Sequence, residues 1–209
     1  MAIGFFERKY IILKRLIEPQ KTVLDLGCYD GRIGDFLVKG LDCIVDGVDI
    51  SDLNINKAKT LRSKYVFDLN NKCWPIENKY DYVLFTDVIE HIFDTDQFMI
   101  NVSRLVKDGG YIVYSTPNIA SIGRRLMLLF GKNPFIEVSR HKEVNLFNAP
   151  AVGHIRYFTL GTMKSIANFH GFKIEKIIPT SFNGFYPNRL IEKLFPSLCW
   201  HLFIKAKKR

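Results

Sequence analysis

The chain has 209 residues, 47% of them hydrophobic and 24% charged, which suits one globular domain with a full core and leaves little for a second. Thirty Lys and Arg against twenty-one Asp and Glu leave a net charge of +9, a balance that favours anionic partners such as nucleic acid, phosphorylated molecules or an anionic membrane surface. No run approaches the roughly 18 apolar residues that cross a bilayer, and the charge-interrupted start MAIGFFERKYIILKRL lacks the apolar centre of a secretory signal.

In chain order, Phe5, Phe6, Lys9, Ile12, Leu13, Leu16 and Ile17 recur at helical spacing, which predicts an amphipathic helix within residues 1–19, stopped by Pro19. The apolar run Thr22–Leu26 reads as a strand, followed by a glycine turn and a helix near residues 31–39. A second strand over Cys43–Asp49 leads into a helix carrying Ile55, Ala58 and Leu61. A weak third strand covers Tyr65–Asp68, and a clear fourth covers Tyr80–Thr86. Asp94 can cap the next helix, which places Phe98, Val102 and Leu105 on one face.

Asp108-Gly-Gly110 turns the chain into a fifth strand over Tyr111–Ser115. Residues 118–155 exceed a plain connection, so they read as an inserted lid or acceptor-binding element. Within them Ile119, Ile122, Leu126, Leu129 and Phe130 recur near helical spacing around Arg124 and Arg125, a stripe that either covers an acceptor pocket or lies on anionic lipid. A capped helix over Thr159–His170 closes on Gly171, a strand covers Phe172–Ile178, and the apolar run Cys199–Ile204 precedes a basic tail. This alternation of strand and helix predicts a doubly wound parallel sheet with helices on both faces.

The candidate site starts at Val23-Leu-Asp-Leu-Gly-Cys-Tyr-Asp-Gly-Arg32. Gly27 and Gly31 permit a tight turn and close approach to a ligand, and the N–H groups at the helix start suit a carboxylate. Asp25, just before the turn, can meet an ammonium group. Asp49, twenty-two positions beyond Gly27, can accept hydrogen bonds from two ribose hydroxyls. Asp68, at the third strand's end, can accept from an adenine amino group. A nicotinamide site is disfavoured, because the glycines at 27, 31 and 34 are spaced GxxxGxxG instead of GxGxxG. The four scattered cysteines form no CxxC pair, so reduced thiols in a cytoplasmic protein and no bound metal are expected.

The stretches VLDLGCYDG (23–31), GVDIS (47–51), FDL (67–69), FTDVIEHI (85–92), LVKDGGYIVYSTPN (105–118) and GHIRYFTLGTMKSIANFHGF (153–172) together resemble the class I S-adenosylmethionine-dependent methyltransferases. The chain looks most similar to their small-molecule group, which includes ubiquinone-biosynthesis O-methyltransferases. The resemblance implies a Rossmann-like α/β sheet of seven strands in the order 3-2-1-4-5-7-6, the last strand antiparallel, in one methyltransferase domain over residues 1–209. It implies S-adenosyl-L-methionine as cofactor, with Asp25, Gly27, Cys28, Tyr29 and Gly31 at its methionine end. Asp49 and Ile50 would hold the ribose and one adenine face, Asp68 and Leu69 the adenine, while Thr86, Asp87 and His91 would border the methyl-transfer opening. Tyr29 stands where the family usually has a second glycine, and either points away from the ligand or crowds the sulfonium pocket.

An oxygen acceptor would gain from a base with pKa near neutral, which makes histidine the natural type. His154 is the first candidate, beside the implied acceptor pocket, and His91 the second; His141, His170 and His201 read as structural. No Asn/Asp-Pro-Pro-aromatic run follows the fourth strand, where the chain reads Thr86-Asp-Val-Ile89, so amino-directed methylation of nucleic acid loses ground. The expectation is methyl transfer to oxygen of a small-molecule, lipid-linked or glycan-type acceptor, with peripheral contact to an anionic membrane. RNA methylation and a catalytically silent cofactor-binding module stay open.

Overall fold

A computed structural model describes residues 5–135, 138–139, 141–144, 153–180 and 189–209, with the side chains of Phe5, Phe6 and residues 189–191 left aside. The Phe5 and Phe6 positions of the N-terminal stripe, and residues 136–137, 140 and 145–152 of the expected insert, therefore lie outside the described side chains or residues.

Helix α1 (Phe5–Leu16) is followed by β1 (Thr22–Leu26), α2 (Arg32–Leu41), β2 (Ile44–Asp49), α3 (Asp52–Ile55), β3 (Lys64–Val66) and β4 (Tyr80–Thr86). Then come α4 (Thr95–Leu105), β5 (Val106–Pro117), α5 (Ile122–Leu129), α6 (Leu160–Phe169), β6 (Phe172–Thr180), α7 (Arg189–Leu194) and β7 (His201–Lys208). The seven strands form one sheet in the order β3-β2-β1-β4-β5-β7-β6. β1 pairs in parallel with β2 and β4, β2 with β3, and β4 with β5. Only β7 runs against its neighbours, antiparallel to both β5 and β6.

Alternation along the buried strands feeds two cores, one on each face. Leu24 and Leu26 of β1 join Val83, Phe85, Phe98, Val102 and Met163, the side covered by α4 and α6. Val23 joins Leu13, Leu16, Leu37, Val45 and Leu84, the side covered by α1 and α2. The starts of α4 and α6 follow from local chemistry. Asp94 accepts the Gln97 N–H at 2.9 Å, and Thr159 and Thr162 form a reciprocal capping box at the start of α6.

Several elements differ from the sequence expectation: Asp108-Gly-Gly110 lies inside β5 instead of turning the chain into it, and α7 has no counterpart among the expected elements. The helix after β2 is a single turn, Asp52–Ile55, and Ala58 and Leu61 are buried from the loop beyond it. Strand β3 stops at Val66, so Asp68 sits in the following loop, where its carboxylate accepts the Asn70 backbone N–H at 2.8 Å. The basic tail is a strand: Lys205 and Lys207 lie in β7, and the Lys205 ammonium stands 4.0 Å from the Tyr111 ring centroid. Long cationic side chains have apolar stems, and here those stems cover the sheet.

Candidate functional site

The glycine turn joins β1 to α2 at the carboxyl edge of the parallel strands. Gly27 (φ 71°) and Gly31 (φ 79°) both take left-handed backbone. A Cβ at Gly27 would lie 2.6 Å from the Val88 side chain, and one at Gly31 would lie 2.2 Å from the Ala58 Cβ. Glycine is therefore required twice over, by backbone and by space. Tyr29 also has positive φ, 51°, and its N–H donates to Asp49 Oδ2 at 2.8 Å. The ring is 54% exposed, so it stands at the rim of the pocket and does not fill it.

The Asp49 carboxylate is buried at the end of β2, and its other oxygen accepts the Ser51 N–H at 2.8 Å. Two backbone donors fix its orientation and leave lone pairs for a ligand. Gly27 and Cys28 both donate their N–H to the Val48 carbonyl. The amides of the turn are thus spent on β2 and Asp49, and the anion-binding expectation narrows to the first turn of α2. Asp25 is buried behind the turn, and its Oδ2 has no hydrogen-bond partner among the described residues. Burial raises its pKa to about 7, against the opposing pull of Lys9.

These groups surround a pocket of about 130 Å³ lined by Lys9, Tyr10, Gly27, Cys28, Tyr29, Asp30, Arg32, Ile33 and Thr86. An orphaned buried carboxylate for an ammonium, a fixed carboxylate for hydroxyls and a cradle that a Cβ would fill make up a donor set that fits S-adenosylmethionine. Among the sequence candidates the pocket collects Gly27, Cys28, Tyr29 and Thr86, with Asp25 and Asp49 bonded or packed behind it. Ile50 is exposed, Leu69 is half-buried against the α4-side core, and neither they nor Asp68 line this pocket.

Asp87 behaves differently from a free pocket carboxylate. It has left-handed backbone (φ 59°), and its side chain accepts from Lys9 Nζ at 3.0 Å, from Ser115 Oγ at 3.0 Å and pairs with His201 Nε2 at 2.5 Å. Burial opposes ionisation, but His201 and Lys9 outweigh it and hold the carboxyl well below the usual range. Lys9 is the residue that sequence reasoning missed. Its signal was present, a lone cation on the apolar stripe of α1.

Beyond Asp87, a 3-10 turn over Ile89–His91 carries Glu90 and His91. The segment after the insert docks here, because Ile155 and Arg156 both donate their N–H to the Glu90 carbonyl. His154 Nε2 comes to 3.9 Å from Glu90 Oε1, and the His91 and His154 rings lie 4.9 Å apart. The two candidate histidines are thus brought together. His91 Nδ1 is bound to the Gly153 carbonyl at 3.1 Å.

Glu90 is 1% exposed, and among the described residues neither carboxylate oxygen makes a well-formed hydrogen bond, with the Thr116 hydroxyl near enough to oppose the rise in its pKa. Burial, then the charge of Asp87, raises its pKa to about 8. Burial, then His91 and Arg124, lowers that of His154 to about 4. Glu90, His91 and His154 each offer a ligand atom within 4.8 Å of the others, a set able to hold a metal ion. Next to them opens a cleft of about 600 Å³ lined by Phe93, Asp94, Thr95, Asp96, Arg156, Tyr157, Phe158 and Thr162.

A family model described as a methyltransferase domain matches residues 7–177. The ubiquinone biosynthesis O-methyltransferase of Coxiella burnetii (strain Dugway 5J108-111) is 33% identical over 104 residues, 47% of this chain and 44% of that protein. The chain thus aligns with less than half the length of that curated relative. A SAM-dependent methyltransferase structure from Thermotoga maritima has TM-score 0.65 and 19% identity, covering 96% of this chain and 87% of its own. Haemonchus contortus phosphoethanolamine N-methyltransferase 2, solved in complex with S-adenosyl-L-methionine, has TM-score 0.64 and 18% identity, covering 99% of this chain and 53% of its own. At such identities the structural likeness speaks for the fold, and the family match over most of the chain speaks for membership. With the glycine turn, the strand order and the carboxylates at the strand ends, it places the chain in the class I S-adenosylmethionine-dependent methyltransferases.

Proposed function

We propose that the protein transfers a methyl group from S-adenosylmethionine to an oxygen of a small-molecule, lipid-linked or glycan-type acceptor. One observation carries this reading: His154 is held beside Glu90 and His91, one turn beyond the β4 residue Thr86 that lines the cofactor pocket. An O-methyltransferase name on a curated relative supports an oxygen acceptor. The polar and aromatic lining of the adjoining cleft supports a polyhydroxylated or ring-bearing one.

When bound, S-adenosylmethionine supplies an electrophilic methyl group and a thioether leaving group. The protein's work is then alignment and exclusion of water. Asp49 accepts from ribose hydroxyls and Asp25 faces the ammonium, while Ile50, Asp68 and Leu69 serve the adenine end only where the ligand extends beyond the pocket that Gly27, Tyr29 and Thr86 line. His154, neutral around pH 7 but held to a weaker basicity than the near-neutral one expected from the sequence, accepts the proton that the acceptor hydroxyl loses. Glu90, protonated there, adds no negative charge against the nucleophile.

Calorimetric titration with S-adenosylmethionine and S-adenosylhomocysteine tests the cofactor half. Asp49→Ala should weaken binding by about 1.5–3 kcal/mol, the loss of a charge-assisted contact. No binding by the unmodified protein would overturn the reading. His154→Ala should cut turnover far more than cofactor affinity, whereas equal loss of both would remove it as the base.

The buried Glu90 carboxylate beside two histidines favours a second reading, in which Glu90, His91 and His154 would hold a divalent cation whose Lewis acidity would lower the pKa of an acceptor hydroxyl. This departs from the metal-free expectation of the sequence. Two nitrogens and one oxygen suit zinc, manganese or nickel. Turnover abolished by a chelator and restored by one of these ions would select it, and turnover indifferent to chelation would select the histidine base.

A further inference from the structure

Helix α5 starts five positions after β5 ends, on the same edge of the sheet as Glu90 and His154. Its root is tied to both neighbours. Ile119 donates its N–H to the Phe158 carbonyl at 2.9 Å, and the Asn118 side chain donates to the Ser197 and Cys199 carbonyls at 2.8 Å each. The inner face of the helix is fixed by Arg124, which is buried with its guanidinium 4.4 Å from the Trp200 ring centroid. With Arg124 turned inward, the expected basic stripe is divided; Ile119 and Ile122 are half-buried at its start, and the apolar residues of its later part face out.

Leu126 and Leu128 are exposed, and Leu129 and Phe130 are each 74% exposed. Four large apolar side chains within five positions exceed the scattered exposure normal for a protein surface. Exposed Leu194 and Phe195 precede the turn that Asn118 grips, so they stand on the same edge. Exposed Arg125, Lys132 and Lys193 flank the patch, and no acidic residue occurs between Ile119 and Phe135. Apolar tips among cations match the layered chemistry of an anionic bilayer, where acyl chains lie beneath phosphate. The net charge of +9 acts in the same direction at longer range.

We propose that the outward face of α5, with Phe195 beside it, docks on an anionic lipid surface and turns the His154 side of the site towards it. Docking does not depend on methyl transfer. The corollary, a lipid-linked acceptor, rests on the methyltransferase reading above.

The full chain should co-sediment with vesicles of phosphatidylcholine containing phosphatidylglycerol, bind phosphatidylcholine alone far more weakly, and release with added salt. Leu129→Asp with Phe130→Asp should lower vesicle affinity by more than about tenfold, since several buried methylenes contribute to the insertion. S-adenosylmethionine affinity, measured on the same variant, should stay unchanged and certify its fold. Equal binding to neutral vesicles, no binding to anionic ones, or binding indifferent to the double substitution would each overturn the proposal. So would a vesicle-free dimer in sedimentation velocity that the substitutions dissociate, because a second copy would then own the patch. Vesicle binding without cofactor binding would overturn the methyltransferase reading and leave docking intact.

Discussion

Burial pushes two carboxyls up, Asp25 to about 7 and Glu90 to about 8, and the two consequences differ because their neighbours differ. Asp25 stands behind a ligand pocket and must be ionised to meet an ammonium. Cofactor affinity should therefore decline as pH falls below about 7, and Asp25→Asn should bind weakly with little of that pH dependence; titration calorimetry at pH 6, 7 and 8 compares the two. His154 is displaced the other way, to about 4. The acid limb of kcat/KM that belongs to it should lie near that value, well below the usual histidine range, and should vanish in His154→Ala. Of these residues the sequence singled out Asp25 and His154, each from a motif. It passed over the role of Glu90, because nothing local distinguishes an acid in a surface turn from one sealed beneath a docked loop.

At the scale of elements, the end of β4 is a junction. Asp87 links α1 through Lys9, β5 through Ser115 and β7 through His201. Replacing it with Asn keeps the shape and removes the charge that Lys9 and His201 face. Asp87→Asn should cost about 1.5–3 kcal/mol of unfolding free energy, read by urea denaturation, and should increase proteolytic access to α1. Unchanged stability would mean that desolvation of the three groups cancels their attraction. A purely local device closes α6. Thr159→Ala removes the half of the capping box that its own side chain makes, leaving the backbone N–H of residue 159 on Thr162 Oγ1, and should cost about 1 kcal/mol, without effect on cofactor affinity. Such caps were legible in the sequence, whereas the one-turn α3 was not, because burial of Ala58 and Leu61 mimics helical spacing from an irregular loop.

Across the whole molecule, these groups set how stability varies with pH. Burial raises the pKa of Asp87 and Asp81, but their partners outweigh it, so both end depressed; Asp81 reaches about 2 against Thr22 and Lys107. Their stabilisation is present above the unfolded value of about 3.9 and is lost as pH falls further. Glu90 and Asp25 are raised, so the folded state holds protons that the unfolded chain has released between about pH 4 and their folded values of about 8 and 7. Their contribution is full below about pH 4 and declines as pH rises through that window. Thermal unfolding should therefore occur at lower temperature at pH 8 than at pH 5. Glu90→Gln should raise Tm at pH 8 and flatten the slope, each kcal/mol appearing as about 2–4 °C. A Tm that rises with pH, or a variant that follows the parent, would contradict the assignment.

The sequence by itself determined what depends on neighbours along the chain. The β/α alternation, the glycine turn, the carboxylates near the strand ends and the caps of α4 and α6 all follow from period, backbone freedom and short-range hydrogen bonding. The strand order came from likeness to a family, and the sheet bears it out, β7 alone running antiparallel to its neighbours. Tertiary structure alone decided which distant groups meet. Lys9 reaches Asp87 across 78 positions and His201 reaches it across 114; His154 lands beside Glu90, Arg124 turns inward under Trp200, and the basic tail becomes a strand. These outcomes rest on strand order and on burial, which fix charges and buried carboxylates in space and leave no period in the sequence to read.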